Sequence, residues 1–132
     1  MTIKKKLLIV DDELADGLAR ALMAQLVDVD IITARTKREG IEKALQEKPA
    51  VVSLDNYMPS DETSARIAPY GTEIARAIKT ALPQTYIVGL SSAPESLQKE
   101  YFDCILHKGT DMERYADTVR EYLGKAQKIS KK

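Results

Sequence analysis

Tryptophan is missing from this 132-residue chain, and phenylalanine and cysteine occur once each. A lone cysteine, Cys104, excludes an internal disulfide framework, and with no Cys-x-x-Cys spacing a structural zinc site is excluded as well. Its place in an apolar run predicts a buried strand thiol rather than a reactive one. Nowhere do the ~18 consecutive apolar residues of a membrane span occur, and the amino terminus lacks a signal-peptide core, so the expectation is a cytoplasmic protein without membrane contact. Neither sign of charge is in excess, since twenty basic side chains balance twenty acidic ones. That balance gives no electrostatic reason to expect nucleic acid as a partner. The small basic clusters at 4–6 and 128–132 read as solvated ends. Internal repeats and low-complexity segments are absent too. With 44% hydrophobic residues, the chain is long enough for one compact core and too short for two. The expected division is a single domain over residues 1–124 and a basic C-terminal tail over 125–132.

What is present is alternation. Short apolar runs at Leu7 to Val10, Val29 to Ile32, Val51 to Leu54, Tyr86 to Leu90 and Cys104 to Leu106 have the length of buried strands. Between them apolar residues recur at intervals of three and four: Leu14, Leu18, Ala21, Leu22 and Leu26; Ile41, Ala44 and Leu45; Ile74, Ala75, Ile78, Ala81 and Leu82. A last helix carries Met112, Tyr115, Ala116, Val119, Tyr122 and Leu123, with Gly124 as its expected stop. Pro49 and Pro83 fit helix ends ahead of strands. Repeated strand-helix alternation predicts an α/β fold with a five-stranded parallel sheet, doubly wound, and such folds bind ligands at the carboxyl ends of their strands.

Those ends read "VDDE", "SLDNYMP", "LSSA" and "LHKG" for the first, third, fourth and fifth strands. Asp11, Asp12 and Asp55 therefore converge, and three clustered carboxylates are unfavourable without a cation. Hard oxygen ligands of this kind suit magnesium. Lys108 adds a positive charge and Ser91 a hydroxyl, so the set provides the partners a phosphoryl group needs.

In this order and at these strand ends, the residues resemble the receiver domain of two-component response regulators, over about residues 5 to 123. The resemblance implies the flavodoxin-like receiver fold and assigns roles. Asp11 and Asp12 match the magnesium-binding pair; Asp55, with Met58-Pro59 after it, matches the phosphoacceptor; Ser91 matches the switch hydroxyl and Lys108 the phosphoryl-contacting lysine. It further implies Mg2+ held by Asp12, Asp55 and the backbone carbonyl of Tyr57, with Asp11 acting through water. The implied partners are a sensor histidine kinase or histidine phosphotransfer protein, and a downstream protein bound by contact alone, because no output segment follows in the sequence. The protein would be a stand-alone acceptor rather than an enzyme. Tyr57 and Ala93 would flank the hydrolytic water, and neither orients water well, so self-dephosphorylation should be slow.

Departures from the family pattern are equally specific. The segment between Asp55 and Gly71, the glycine expected to open the third helix, is extended, and the stretch from Ser91 to Lys108 is short, so the fourth helix should be stunted. Ile105 stands where an aromatic toggle is usual, and Gly109 replaces the usual proline. A response in the extended 60–70 segment, which carries Asp61, Glu62 and Arg66, is expected in place of the conventional one. Two other readings compete: a pseudo-receiver that binds without phosphoryl traffic, and a small serine hydrolase built on "GLSSA" with Ser91, Asp103 and His107.

Overall fold

The computed structural model describes residues 4–13, 15–23 and 25–130, and side chains within that span except those of residues 16, 20 and 127–130. Leu14 and the end of the basic tail lie outside the described residues. The elements run β1 (Lys5–Val10), α1 (Ala15–Met23), β2 (Val29–Ala34), α2 (Lys37–Glu47), β3 (Val51–Asp55), β4 (Tyr57–Pro59), β5 (Ile67–Pro69), α3 (Gly71–Ala81), β6 (Tyr86–Ser91), β7 (Cys104–His107) and α4 (Tyr115–Ser130). Five strands form one parallel sheet in the order β2-β1-β3-β6-β7. All five apolar runs became its strands.

Alternation of side chains splits the apolar strands between two cores. On one face Leu7, Ile9, Val51, Val88, Leu90 and Leu106 pack with Ala15 and Leu22 of α1 and Tyr115, Val119 and Leu123 of α4. On the other, Leu8, Val10, Val52, Leu54 and Ile87 pack with Ala44 of α2 and Ile74, Ala75 and Ile78 of α3. Leu7 to Val10 are completely buried, which is why that run shows no polar alternation. α2 is bounded as its sequence dictates: the Thr36 hydroxyl accepts the Glu39 N–H at 3.1 Å, and Lys48, in the left-handed region at φ 49°, closes the helix before Pro49.

Several features differ from the sequence reading or refine it. The extended segment is an antiparallel hairpin, β4 with β5, whose strands carry one proline each. Between β6 and β7 only two 3-10 turns form, Pro94–Ser96 and Lys99–Tyr101, with no α-helix. Leu97 and Phe102 cover the sheet there instead; a Cβ at Gly89 would lie 2.8 Å from the Phe102 ring. Finally, Gly124 does not stop the last helix, which continues to Ser130. A mid-helix glycine costs about 1 kcal/mol against alanine, and the Lys-Ala-Gln-Lys run after it consists of good helix formers. Cys104 is half-buried rather than buried, and burial pushes its thiol up, away from the reactive thiolate.

Candidate functional site

The parallel register brings the strand ends together. Val10 is level with Leu54, so β1 delivers Asp11 and Asp12 just beside Asp55 at the end of β3. Asp55 in turn pairs with Leu90, and Ser91 with His107, the residue before Lys108. One oxygen from each of Asp11, Asp12 and Asp55 lies within 4.8 Å of the others. Lys108 Nζ reaches Asp55 Oδ1 at 3.0 Å and Asp11 Oδ2 at 3.4 Å. The backbone N–H of Asn56 also donates to Asp55 Oδ1, at 2.8 Å. Both donors sit on the same oxygen, and among the described residues no hydrogen bond reaches Asp55 Oδ2.

The electrostatics follow from crowding. Burial first, and then the neighbouring Asp11 carboxylate, raise Asp55 above the ordinary carboxylate range. Asp12 is raised by burial and by Asp11 and Glu13. Lys108 is held above its usual value: burial opposes the charge, but the hydrogen bond to Asp55 and the two carboxylates outweigh it. The partners do not mirror each other, because Lys108 gains two anions while Asp55 gains one cation and one anion. One ammonium thus serves three acids. A donor set of three clustered carboxylate oxygens with unrelieved repulsion fits a small, hard divalent cation such as Mg2+.

Ser91 is nearly fully buried, and its hydroxyl accepts the Ala93 N–H at 2.9 Å. Tyr57, two residues after Asp55, is 45% exposed. Ile105 is half-buried on β7 opposite Gly89 and brings no polar tip. The serine-hydrolase arrangement is not formed: the Asp103 carboxylate is taken by Lys79 and the Ile87 N–H, and His107 Nδ1 accepts the Gly109 N–H.

Two residues that the sequence reading passed over are part of the site. Asn56, only 2% exposed, accepts the Gly71 N–H on Oδ1 at 3.2 Å and donates from Nδ2 to the Ser96 hydroxyl at 3.0 Å. A polar residue directly after Asp55, at the end of a mostly apolar strand, was the available signal for Asn56. Ser96 had none. The hairpin is tied to α2 by Arg38, whose guanidinium pairs with Glu62 and whose N–H donates to Ser60 O at 2.9 Å.

No family model matches the sequence, and no curated protein matches it. Solved structures do. The response regulator TrrA of Thermotoga maritima, in complex with Mg2+-BeF, is 23% identical, with 89% of this chain and 98% of that one covered and a TM-score of 0.74. A CheY-like receiver domain protein of Methanospirillum hungatei is 21% identical over 96% and 98% of the two chains, with a TM-score of 0.72. The receiver domain of AraT, a response regulator of Geobacillus stearothermophilus, is 20% identical over 98% and 99%, with a TM-score of 0.72. These likenesses hold at the level of the backbone and establish the architecture: the chain has the fold of a response-regulator receiver domain.

Proposed function

We propose that this protein is a response regulator that accepts a phosphoryl group on Asp55 and signals through protein contacts. The observation that carries the reading is the Lys108 ammonium bridging Asp55 and Asp11 while Asp55 Oδ2 stays without a donor. In the transfer, Asp55 Oδ2 attacks the phosphorus of a phosphohistidine on a sensor kinase or phosphotransfer protein, the P–N bond breaks, and the imidazole leaves. Lys108 moves its hydrogen bond from the carboxylate to a phosphoryl oxygen, and Ser91 turns to donate to another. Asp11, Asp12, Asp55 and the Tyr57 carbonyl would hold Mg2+, which supplies charge neutralisation for the phosphoryl oxygens when bound. The chain acts as an acceptor, not as a turnover enzyme. Tyr57, 45% exposed and two residues after Asp55, is suited to slowing loss of the phosphoryl group by water.

Incubation with acetyl phosphate and Mg2+, scored by intact mass, tests this. One phosphoryl group should appear on the wild type and none on Asp55→Asn, and chelation of the metal should abolish the label. Equal labelling of the two proteins would remove Asp55 from its role.

A further inference from the structure

A chain of hydrogen bonds joins the acceptor to Ser91 without passing through Lys108. Asn56 N–H donates to Asp55 Oδ1, Asn56 Nδ2 donates to Ser96 Oγ at 3.0 Å, Ser96 Oγ donates to Ala93 O at 2.6 Å, and Ala93 N–H donates to Ser91 Oγ at 2.9 Å. The orientation of the Asn56 amide is fixed by what surrounds it. Its side-chain oxygen shares the Gly71 N–H at the start of α3 with its own backbone carbonyl, at 3.2 and 3.1 Å, so its NH2 must face Ser96. Space for that oxygen exists because residue 71 is glycine: a Cβ there would stand 2.8 Å from it. The carbonyl of Ala93 and the hydroxyl of Ser96 close a compact turn, since the Ser96 N–H also donates to Ala93 O at 2.9 Å.

We propose that Asn56 and Ser96 are positioning residues that latch the turn at 93–96 to the acceptor loop and thereby hold the Ser91 hydroxyl on Ala93 in the resting protein. The consequence for signalling rests on the phosphoacceptor reading above. When Ser91 turns toward a phosphoryl group on Asp55, Ala93 N–H loses its acceptor and the turn loosens. The strain passes through Ser96 to Asn56, and from Asn56 to the Gly71 N–H, so the foot of α3 and the adjoining hairpin respond. This route needs no aromatic at position 105. It also uses the crossover from β6 to β7, which has two 3-10 turns and no α-helix to stiffen it.

Ser96→Ala cuts the latch at an exposed position and keeps the backbone N–H that closes the turn, so the fold is not at risk. Without any ligand, the Ala93 amide proton, followed by NMR hydrogen exchange, should exchange about fivefold faster, the scale of one net hydrogen bond, and the Gly71 proton, which keeps the Asn56 backbone carbonyl as acceptor, should exchange faster by a smaller factor. With Mg2+ present, beryllofluoride should bind about fivefold more tightly, because the latch no longer opposes the turn of Ser91. Ser96→Thr, which keeps the hydroxyl, should restore both values. Unchanged exchange at Ala93 and Gly71 in Ser96→Ala would overturn the latch itself. Faster exchange with unchanged beryllofluoride affinity would overturn its restraint on Ser91. A wild type that takes no beryllofluoride would overturn the phosphoacceptor reading, while the exchange measurement still decides whether the resting latch exists.

Discussion

Asp55 sits among groups that work against its own charge. Because burial and Asp11 raise it above the ordinary carboxylate range, the native state binds this proton more readily than the unfolded chain does. Stability contributed through Asp55 therefore falls as pH climbs from the usual carboxylate value through the raised one. Lys108 has the same sign at the other end of the scale: its raised value gives stability that is complete below the ordinary lysine range and is lost only as strongly alkaline pH is reached. Near neutrality the acid effect governs. Asp55→Asn, which imitates the protonated form, should be more stable than the wild type at about pH 7 by on the order of 1 kcal/mol, with the gain shrinking toward about pH 3, where the wild-type carboxyl is protonated. Urea unfolding at the two pH values checks the sign. A variant less stable at neutral pH would mean that the Lys108 ion pair outweighs desolvation. Such a result would recast Asp55 as a structural anchor.

At the scale of elements, what could be read in the sequence and what could not divide along one physical line. Long-period signals survived: the buried runs gave all five strands of the sheet, and Asp11, Asp12, Asp55 and Lys108 meet because strand ends in a parallel sheet have no other place to go. Signals depending on contacts between distant residues did not. The hairpin of β4 and β5 has three-residue strands, each with a proline, too short for alternation to show and against ordinary strand preference. Asn56 gains its role from Gly71 and Ser96, partners 15 and 40 positions away, and Gly124 was overruled by the helix formers around it. The stretch between β6 and β7 illustrates how such contacts replace an element. Phe102 and Leu97 lie directly on Gly89, where a helix would otherwise cover the sheet. Gly89→Ala would press a methyl group into the Phe102 ring, and the expected loss is about 1–3 kcal/mol, the range of an overpacked core. Thermal unfolding measures it, and adding Phe102→Leu to make room should recover most of the loss. No loss in the single variant would show that the ring moves freely and that this cover is loose.

For the whole molecule, the two cores are completed by different parts of the chain. The core over α2 and α3 is built almost entirely from residues before position 88, whereas the opposite core requires Tyr115, Val119 and Leu123 of α4. Tyr115 ties the two halves with its hydroxyl on Ser53 at 2.6 Å, beneath the acids, where burial pushes the phenol up and keeps it a neutral donor. Every pairing in the sheet is parallel, so each strand must wait for a crossover before it can join. β1 lies between β2 and β3, and pairing of β1 with β3 alone brings Asp11, Asp12 and Asp55 together, whereas Lys108 follows β7 at the far edge. In any order of assembly that pairs β1 with β3 before β7 joins, three anions meet with no ammonium between them, and their repulsion is expected to slow folding. Refolding from urea should accelerate when sodium chloride is raised from about 10 mM to about 0.5 M, as screening shortens the reach of that repulsion. Asp11→Asn should fold faster at low salt and lose most of the acceleration. An equal salt response in both proteins, measured by stopped-flow tyrosine fluorescence, would place that repulsion elsewhere in the chain.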